Sequence, residues 1–240
     1  MELTPFTPSR FTESMLYTFQ QDGAGYFVKV YLGENAGLRR DLELSKLNQW
    51  SCQNFPVPKV NDTNIPRITD PYLIMEFIQG ISLSYYLKDE SFKFDIKINL
   101  LKKIFLSNYK RHQSAIKNND KLLVHSDPNT DNIIVSGEEF HFIDFEHPGK
   151  KRHVLDACAN EAASFCRRVV RDLGRSYLIN IMTLFYNIYA TENELLTRVE
   201  ALTYNRSFHL VHRIKDRLKK AKNSELVTRY DVADALHELR

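Results

Sequence analysis

The chain has 240 residues, of which 43% are hydrophobic and 12% aromatic, and its formal net charge is +3. This composition suits a globular protein built as one large domain or two modest lobes, either of which buries a sizeable core. The small net charge excludes any charge-based argument for nucleic-acid binding.

The first third of the chain is predicted to form strands and one helix. Strands are predicted at residues 14–20, 26–32 and 72–78, where β-branched and aromatic residues are frequent. Residues 22–25 between the first two strands contain Asp and Gly, which tolerate positive φ, so a hairpin turn is predicted there. Residues 38–50 carry apolar side chains at helical spacing.

The remainder is predicted to be mostly helical, with helices at residues 94–117, 155–171, 177–190, 192–202, 207–222 and 229–239. A loop and a hairpin interrupt these helices at residues 124–144. The expected fold class is therefore α+β. A small antiparallel β lobe with one helix occupies residues 1–78, and a larger helical lobe occupies residues 79–240.

No signal peptide or membrane-spanning segment is expected. The N-terminus lacks a basic region followed by an apolar one, and the most apolar stretch, residues 177–190, is too short to span a bilayer. The three cysteines, Cys52, Cys158 and Cys166, show no metal-ligand spacing. Reduced thiols in a cytoplasmic protein are therefore expected.

Residues 124–144 contain the groups that phosphoryl transfer requires. The amide Asn132 follows the carboxylate Asp127 by five residues, and a second carboxylate, Asp144, follows twelve residues later at the end of an apolar run. In phosphoryl transfer from ATP, one carboxylate orients the acceptor hydroxyl, while an amide and another carboxylate hold Mg²⁺ on the phosphates.

With His125-Ser126-Asp127 followed by Asn132, and with Asp144 in Ile-Asp-Phe-Glu, the chain resembles the protein-kinase-like superfamily over roughly residues 14–165. It is most similar to the aminoglycoside phosphotransferase and lipopolysaccharide kinase type. The resemblance implies a two-lobed kinase-like fold that uses ATP and Mg²⁺. It also implies that Asp127 is the catalytic base, that Asn132 and Asp144 are metal ligands, and that His125 braces the loop. Glu146 stands where many protein kinases have glycine.

Lys29 lies in the middle of an apolar strand, where an unpaired buried ammonium would cost several kcal/mol. The resemblance implies that Lys29 contacts the α- and β-phosphates and pairs with a helix glutamate. Glu43, which begins an apolar stripe, is favoured as that partner over Asp41. The alternative for Lys29 is an edge-strand position that faces water. The alternative for Glu43 and Asp41 is a solvated helix face.

Residues 73–80 resemble the hinge that binds adenine, through the carbonyl of Glu76 and the amide of Ile78, although an ordinary strand that ends in glycine has the same pattern. The glycine-rich phosphate loop of protein kinases is missing, because the expected position near residues 9–14 contains no glycine. Backbone amides and the hydroxyls of Ser9, Thr12 or Ser14 could bind phosphate instead.

The acceptor is expected to be the hydroxyl of a small molecule or saccharide. No Ala-Pro-Glu follows Asp144, and Asp156 comes only twelve residues later, which leaves little room for a peptide platform. A basic cluster could hold an anionic acceptor, although a solvated surface is the alternative. Its residues are Lys150, Lys151, Arg152, His153, Arg167, Arg168 and Arg171.

The sequence therefore predicts an ATP- and Mg-dependent phosphotransferase that moves the γ-phosphoryl group to such a hydroxyl. A protein Ser/Thr kinase and a pseudokinase that serves as a binding scaffold remain as alternatives. The basic segment at residues 213–222 could touch a membrane surface as a peripheral contact, but an ordinary exposed helix is favoured there.

Overall fold

The structure, a computed structural model, describes residues 2–7, 13–204 and 209–240, with only the backbone at His209. The fold is α+β, as predicted. The strands are β1 (Thr4–Pro5), β2 (Ser14–Gln21), β3 (Ala24–Tyr31), β4 (Val60–Asn61), β5 (Tyr72–Glu76), β6 (Ile81–Ser82), β7 (Ile133–Ser136) and β8 (Glu139–Phe142). The helices are α1 (Ala36–Cys52), α2 (Leu83–Lys88), α3 (Phe94–Asn118), α4 (Val154–Leu173), α5 (Leu178–Tyr189), α6 (Asn193–Tyr204), α7 (His209–Lys222) and α8 (Arg229–Leu239).

The chain forms two compact units. The first comprises the residues up to Gly80 together with Ile134–Pro148, and the second comprises Ile81–Ile133 and Gly149–Arg240. The chain therefore leaves the first unit after β5 and returns to it for β7 and β8.

A five-stranded antiparallel sheet in the order β1-β2-β3-β5-β4 forms the centre of the first unit. The predicted turn between β2 and β3 is confirmed, with φ of 52° at Asp22 and 78° at Gly23. Lys29 lies in β3, paired with residues of β2 and β5 on either side, and is therefore in the middle of the sheet. One apolar cluster of the sheet consists of Phe19, Val28, Val30, Ile65 and Ile74.

Helix α1 and the β7–β8 hairpin complete the first unit. Trp50 of α1 is fully buried, and its ring centroid lies 5.2 Å from that of Phe142 and 4.7 Å from that of Phe145. Gly80 passes so close to β7 that a Cβ added there would lie 2.2 Å from the carbonyl oxygen of Val135. These contacts fix the position of the segment that carries Asp144.

Helices α3, α4 and α5 form an aromatic core in the second unit. Phe105 of α3 contacts Phe165 of α4 and Phe185 of α5, at centroid distances of 5.2 and 6.1 Å, and Tyr189 packs on Phe185 at 4.5 Å. A capping box formed by Thr228 and Asp231 begins α8. Among the described residues, no helix is long and apolar enough to cross a membrane.

Most predicted elements differ by one or two residues from those in the structure. The strand predicted at residues 72–78 ends at Glu76, and the helix predicted at 177–190 begins at Leu178 because Arg175–Tyr177 forms a 3-10 turn. The helix predicted at 207–222 is described from His209, so its first predicted residues lie outside the described part. The six-residue α2 was not predicted, because it is too short to show a periodic pattern.

Candidate functional site

Lys29 is the centre of a buried cluster of charges in the first unit. Its Nζ donates to Glu43 Oε2 at 2.9 Å and to Asp144 Oδ1 at 2.8 Å, and its side chain is only 8% exposed. Asp41, the rival partner in the sequence, is exposed and pairs with Arg40 instead. The ammonium is therefore not a solvated edge-strand group, because two carboxylates from distant parts of the chain hold it.

Glu43 has contacts on both of its carboxylate oxygens. Oε2 also accepts from the Tyr31 hydroxyl at 2.6 Å, while Oε1 accepts from the backbone amide of Phe145 at 3.2 Å. Glu43 thus connects α1 both to β3 and to the residue that follows Asp144. Asp144 itself has φ of 66°, a backbone conformation that non-glycine residues rarely adopt and that is often found at functional sites.

Arg39 and Glu146 extend the cluster. Arg39 donates through Nε and Nη2 to Glu146 Oε2, at 3.1 and 2.7 Å, and through Nη2 to Ser14 Oγ at 3.0 Å. Glu146 Oε2 also lies 3.5 Å from Lys29 Nζ. Arg39 is not among the site residues predicted from the sequence. Its position four residues before Glu43, on the same face of α1, is the signal that was available.

The electrostatics of the cluster keep Lys29 charged. Burial acts to lower the pKa of Lys29, but the charges of Glu43, Asp144 and Glu146 raise it above its usual value. Burial and the nearby Glu43 likewise raise the pKa of Tyr31, so its hydroxyl remains a donor. Three carboxylates and two cations give the cluster a formal charge of −1, which suits the approach of a further cation.

The donor set at Asp144 fits a divalent metal ion. Ligand atoms of Asp144, Glu146 and His147 lie within 4.8 Å of one another. Carboxylate oxygens are the ligands that Mg²⁺ prefers, and Mg²⁺ usually binds through one or two carboxylates together with phosphates. Asp144 and Glu146 therefore offer a suitable pair, and the imidazole of His147 would suit transition metals better.

Asp127 and Asn132 lie together in a loop of the second unit. Asn132 Nδ2 donates to the backbone carbonyl of Asp127 at 3.0 Å and to Asp127 Oδ2 at 3.2 Å. The buried His125 accepts the backbone N–H of Asp127 at its Nδ1, at 3.3 Å. His125 and Asn132 therefore hold the Asp127 backbone and carboxylate in one conformation.

Buried polar residues of α3 and α4 anchor the beginning of this loop. The Glu161 carboxylate accepts two hydrogen bonds from Arg111, and its Oε2 also accepts the backbone N–H of His125 at 2.8 Å. Arg111 donates in turn to the carbonyl of Leu123. Glu161 is not among the site residues predicted from the sequence, although a glutamate on the apolar face formed by Cys158, Ala162 and Phe165 is a visible signal.

Thr130 anchors the other end of the loop. Its hydroxyl donates to Asp172 Oδ2 near the end of α4, and Asp172 Oδ1 pairs with Lys88 of α2 at 3.0 Å. Helices α2, α3 and α4 therefore fix the loop on both sides of Asp127.

The other predicted nucleotide contacts that the structure describes lie near the end of β5 and at the start of β2. Glu76 is the last residue of β5 and is exposed, while Ile78 follows two residues later. Ser14 is buried against Arg39. Ser9 and Thr12, which were suggested as phosphate contacts, lie outside the described residues.

The second unit contains a cavity of about 550 Å³ between α4 and α6. It is lined by His153, Leu155, Asp156, Asn193, Glu194, Thr197, Arg198 and Ala201. Asp156 Oδ2 accepts from Arg198 Nη2 at 2.9 Å, and this bond lowers the pKa of Asp156. Charged side chains and one amide, Asn193, thus lie in a lining whose accessible surface is mostly apolar.

The predicted basic cluster does not converge on this cavity, because His153 is its only member among the lining residues. Lys150 and Lys151 are exposed. Burial, followed by the charges of neighbouring arginines, lowers the pKa of Arg167 on α4 to about 10. The arginines concerned are Arg229, Arg168 and Arg171.

Comparison with known proteins finds no family model that matches the chain and no curated protein that matches it. Function is therefore inferred from the residues of these two sites and their geometry.

Proposed function

We propose that the protein has a kinase-like fold and is an ATP- and Mg-dependent phosphotransferase, which moves the γ-phosphoryl group to a hydroxyl of a small-molecule or saccharide acceptor. The observation that supports this most strongly is Lys29, whose Nζ contacts both Glu43 and Asp144. Phosphoryl transfer requires a fixed cation for the phosphates close to a carboxylate for the metal. Both groups are present in one buried cluster.

In the proposed reaction, Lys29 binds the α- and β-phosphates and Glu43 holds its ammonium in position. Asp144, with Asn132, would hold Mg²⁺, and Glu146 is an additional carboxylate beside Asp144. Bound Mg²⁺ would neutralise the negative charge that develops on the leaving ADP. Arg39 positions Glu146 through their ion pair.

Asp127 is the proposed base. The acceptor hydroxyl oxygen forms a bond to the γ-phosphorus, the bond from that phosphorus to the ADP oxygen breaks, and Asp127 takes the hydroxyl proton. The hydrogen bond from Asn132 to Asp127 Oδ2 supports this role, because it fixes the carboxylate without neutralising its charge.

The cavity between α4 and α6 is a candidate site for a small acceptor. Its volume of about 550 Å³ lies in the range of small-molecule sites, and the ion pair of Asp156 with Arg198 is part of its lining. A Cβ added at Gly149, near the start of the same segment as His153, would lie 4.0 Å from Cβ of Ser126, the neighbour of Asp127. An anionic acceptor is less well supported, because most of the predicted basic residues do not line the cavity.

A screen of candidate hydroxyl acceptors tests the proposal. Acceptors are incubated with Mg-ATP, and mass spectrometry detects the gain of one phosphate, while ADP release is measured in parallel. Asp127→Asn is expected to lower the rate about 10² to 10⁴-fold, which is the usual contribution of a general base. Asp131→Asn, in the same loop, is the matched control and is expected to retain activity. Equal rates for Asp127→Asn and the wild type would contradict the role of Asp127.

The same assays separate the two alternatives. Phosphorylation of proteins in a panel, without phosphorylation of any sugar or small molecule, would support the protein kinase. A thermal shift with Mg-ATP but no ADP release under any condition would support the binding scaffold.

A further inference from the structure

Helix α7 carries a stripe of apolar side chains that is exposed in the part of the chain that the structure describes. Leu210, Val211, Ile214 and Leu218 are 64%, 47%, 57% and 62% exposed. At 100° per residue, these four side chains fall within an arc of about 100° on one side of the helix. Single exposed apolar residues are ordinary, but a continuous stripe of this kind marks an interaction surface.

Polar contacts on the other side of α7 fix the direction of the stripe. Arg213 pairs with Asp234 of α8 at 3.0 Å, and its guanidinium lies 5.8 Å from the ring centroid of Tyr230. Lys220 pairs with Asp231 of the same helix. The helix is therefore attached through its polar side, and its apolar side points away from α8.

Basic residues border the stripe on both sides. Arg217 lies next to it on one edge, and Lys215 and Lys222 lie next to it on the other, and all three are exposed. Residues 209–222 contain six Lys and Arg residues and a single acidic residue, Asp216. An apolar stripe flanked by cations is the pattern of a helix that lies in a membrane interface.

We propose that α7 docks on an anionic lipid surface, with Leu210, Val211, Ile214 and Leu218 inserted among the acyl chains and the flanking cations on the headgroups. The charge of the flanking residues selects this partner, because a neutral protein surface would not require cations on both edges. The helix is about 21 Å long, so it can lie along the surface without crossing it.

Vesicle flotation tests the proposal with the 240-residue chain. Binding to vesicles that contain phosphatidylglycerol is expected to be at least about tenfold stronger than binding to pure phosphatidylcholine vesicles, and to weaken at high salt as charges are screened. Ile214→Ser/Leu218→Ser is expected to weaken binding by at least about tenfold. The control is Ile96→Ser/Ile179→Ser, which changes two residues on α3 and α5 of similar exposure.

The cations are tested separately. Each lysine near an anionic surface contributes about a factor of five to binding, so Lys215→Gln/Lys222→Gln is expected to weaken it about 25-fold. Lys102→Gln/Lys110→Gln on α3 removes the same charge from other exposed positions and is expected to change binding little.

Insertion is measured by fluorescence. The chain has one tryptophan, Trp50, which is fully buried and gives a constant background. In Leu210→Trp, the emission is expected to shift to shorter wavelength when phosphatidylglycerol vesicles are added.

Three results would overturn the proposal. The first is no binding to anionic vesicles, and the second is binding without any shift in the emission of Leu210→Trp. The third is self-association of the wild type that Ile214→Ser/Leu218→Ser abolishes while vesicle binding is absent, which would assign the stripe to a second copy of the chain.

Discussion

Arg39 and Glu146 form an ion pair, with Arg39 Nη2 2.7 Å from Glu146 Oε2, although the two residues are 107 positions apart in the sequence. Their side chains are 13% and 7% exposed. The backbone N–H of Phe145 also donates to Glu43, so α1 contacts the segment that carries Asp144 at two points. The orientation of α1 and the position of the proposed metal ligand are therefore coupled.

We expect the Arg39–Glu146 pair to show strong coupling in a double-mutant cycle. Arg39→Met leaves the Glu146 carboxylate buried with Lys29 as its remaining cation, so we expect a loss of about 3 kcal/mol in the free energy of unfolding. Arg39→Met/Glu146→Met removes both charges and is expected to recover part of that loss. Urea unfolding measures all four proteins. Additive effects of the two single changes would show that the pair contributes nothing.

Lys29→Met is expected to abolish the response to nucleotide. It removes the proposed phosphate contact and leaves Glu43 and Asp144 without their shared cation, so we expect a fall of about 10² to 10³-fold in ADP release. The thermal shift produced by Mg-ATP should disappear as well. Lys59→Met, at an exposed position in the same unit, is the control. A normal thermal shift in Lys29→Met would contradict the proposed phosphate contact.

Substitution of alanine at Gly80 and at Gly37 is expected to change the stability of the protein in opposite directions. A Cβ at Gly80 would meet the Val135 carbonyl oxygen at 2.2 Å, so Gly80→Ala must displace backbone and is expected to destabilise by about 1–3 kcal/mol. A Cβ at Gly37, in the first turn of α1, meets nothing within 4 Å. Gly37→Ala is therefore expected to stabilise by about 0.5–1 kcal/mol. Thermal melting of the two variants checks the contrast.

The buried His112 and Glu161 are expected to make the second unit sensitive to acid. Burial lowers the pKa of His112, whose Nε2 lies 3.2 Å from Glu161 Oε2. Burial acts to raise the pKa of Glu161, but Arg111 and His112 lower it well below its usual value. Both groups therefore bind fewer protons in the folded chain than in the unfolded one. Their stabilisation is complete above about pH 6.5 and is lost progressively as the pH falls.

His112→Gln tests this directly, because it removes the contribution that begins to fail near pH 6.5. We expect the melting temperature of the wild type to fall between about pH 6.5 and pH 5, and that of His112→Gln to fall less over the same interval. His237→Gln, at an exposed histidine, should follow the wild type. Identical profiles for all three proteins would mean that His112 does not govern the acid response.

Much of the local structure and part of the site could be predicted from the sequence. The β2–β3 hairpin follows from a turn that tolerates positive φ between two β-rich segments. The choice of Glu43 over Asp41 follows from helical spacing, because Glu43 lies on the same face as Leu47 and Trp50. These predictions depend on short-range patterns, which one sequence displays fully.

The other features of the fold and the site could not be predicted, because they depend on contacts between residues that are distant in the sequence. Helical spacing marks Arg39 and Glu161 as unusual, but the sequence does not show that their partners are Glu146 and Arg111. The six residues of α2 span too few turns to show a pattern. The grouping of residues 134–148 with the first unit is likewise a matter of packing, since Phe142 and Phe145 reach Trp50 only in the folded chain.

The discontinuity of the first unit sets an order of events during synthesis. A nascent chain that has been made only as far as Gly80 lacks Phe142 and Phe145, so Trp50 has no hairpin to pack against. At about 5–20 residues per second, roughly 3 to 14 seconds pass between the addition of Gly80 and that of Pro148. During that interval the whole of residues 81–133 must be made, and the first unit lacks its β7–β8 hairpin. The protein is therefore expected to depend on protection of the exposed Trp50 face while it is on the ribosome.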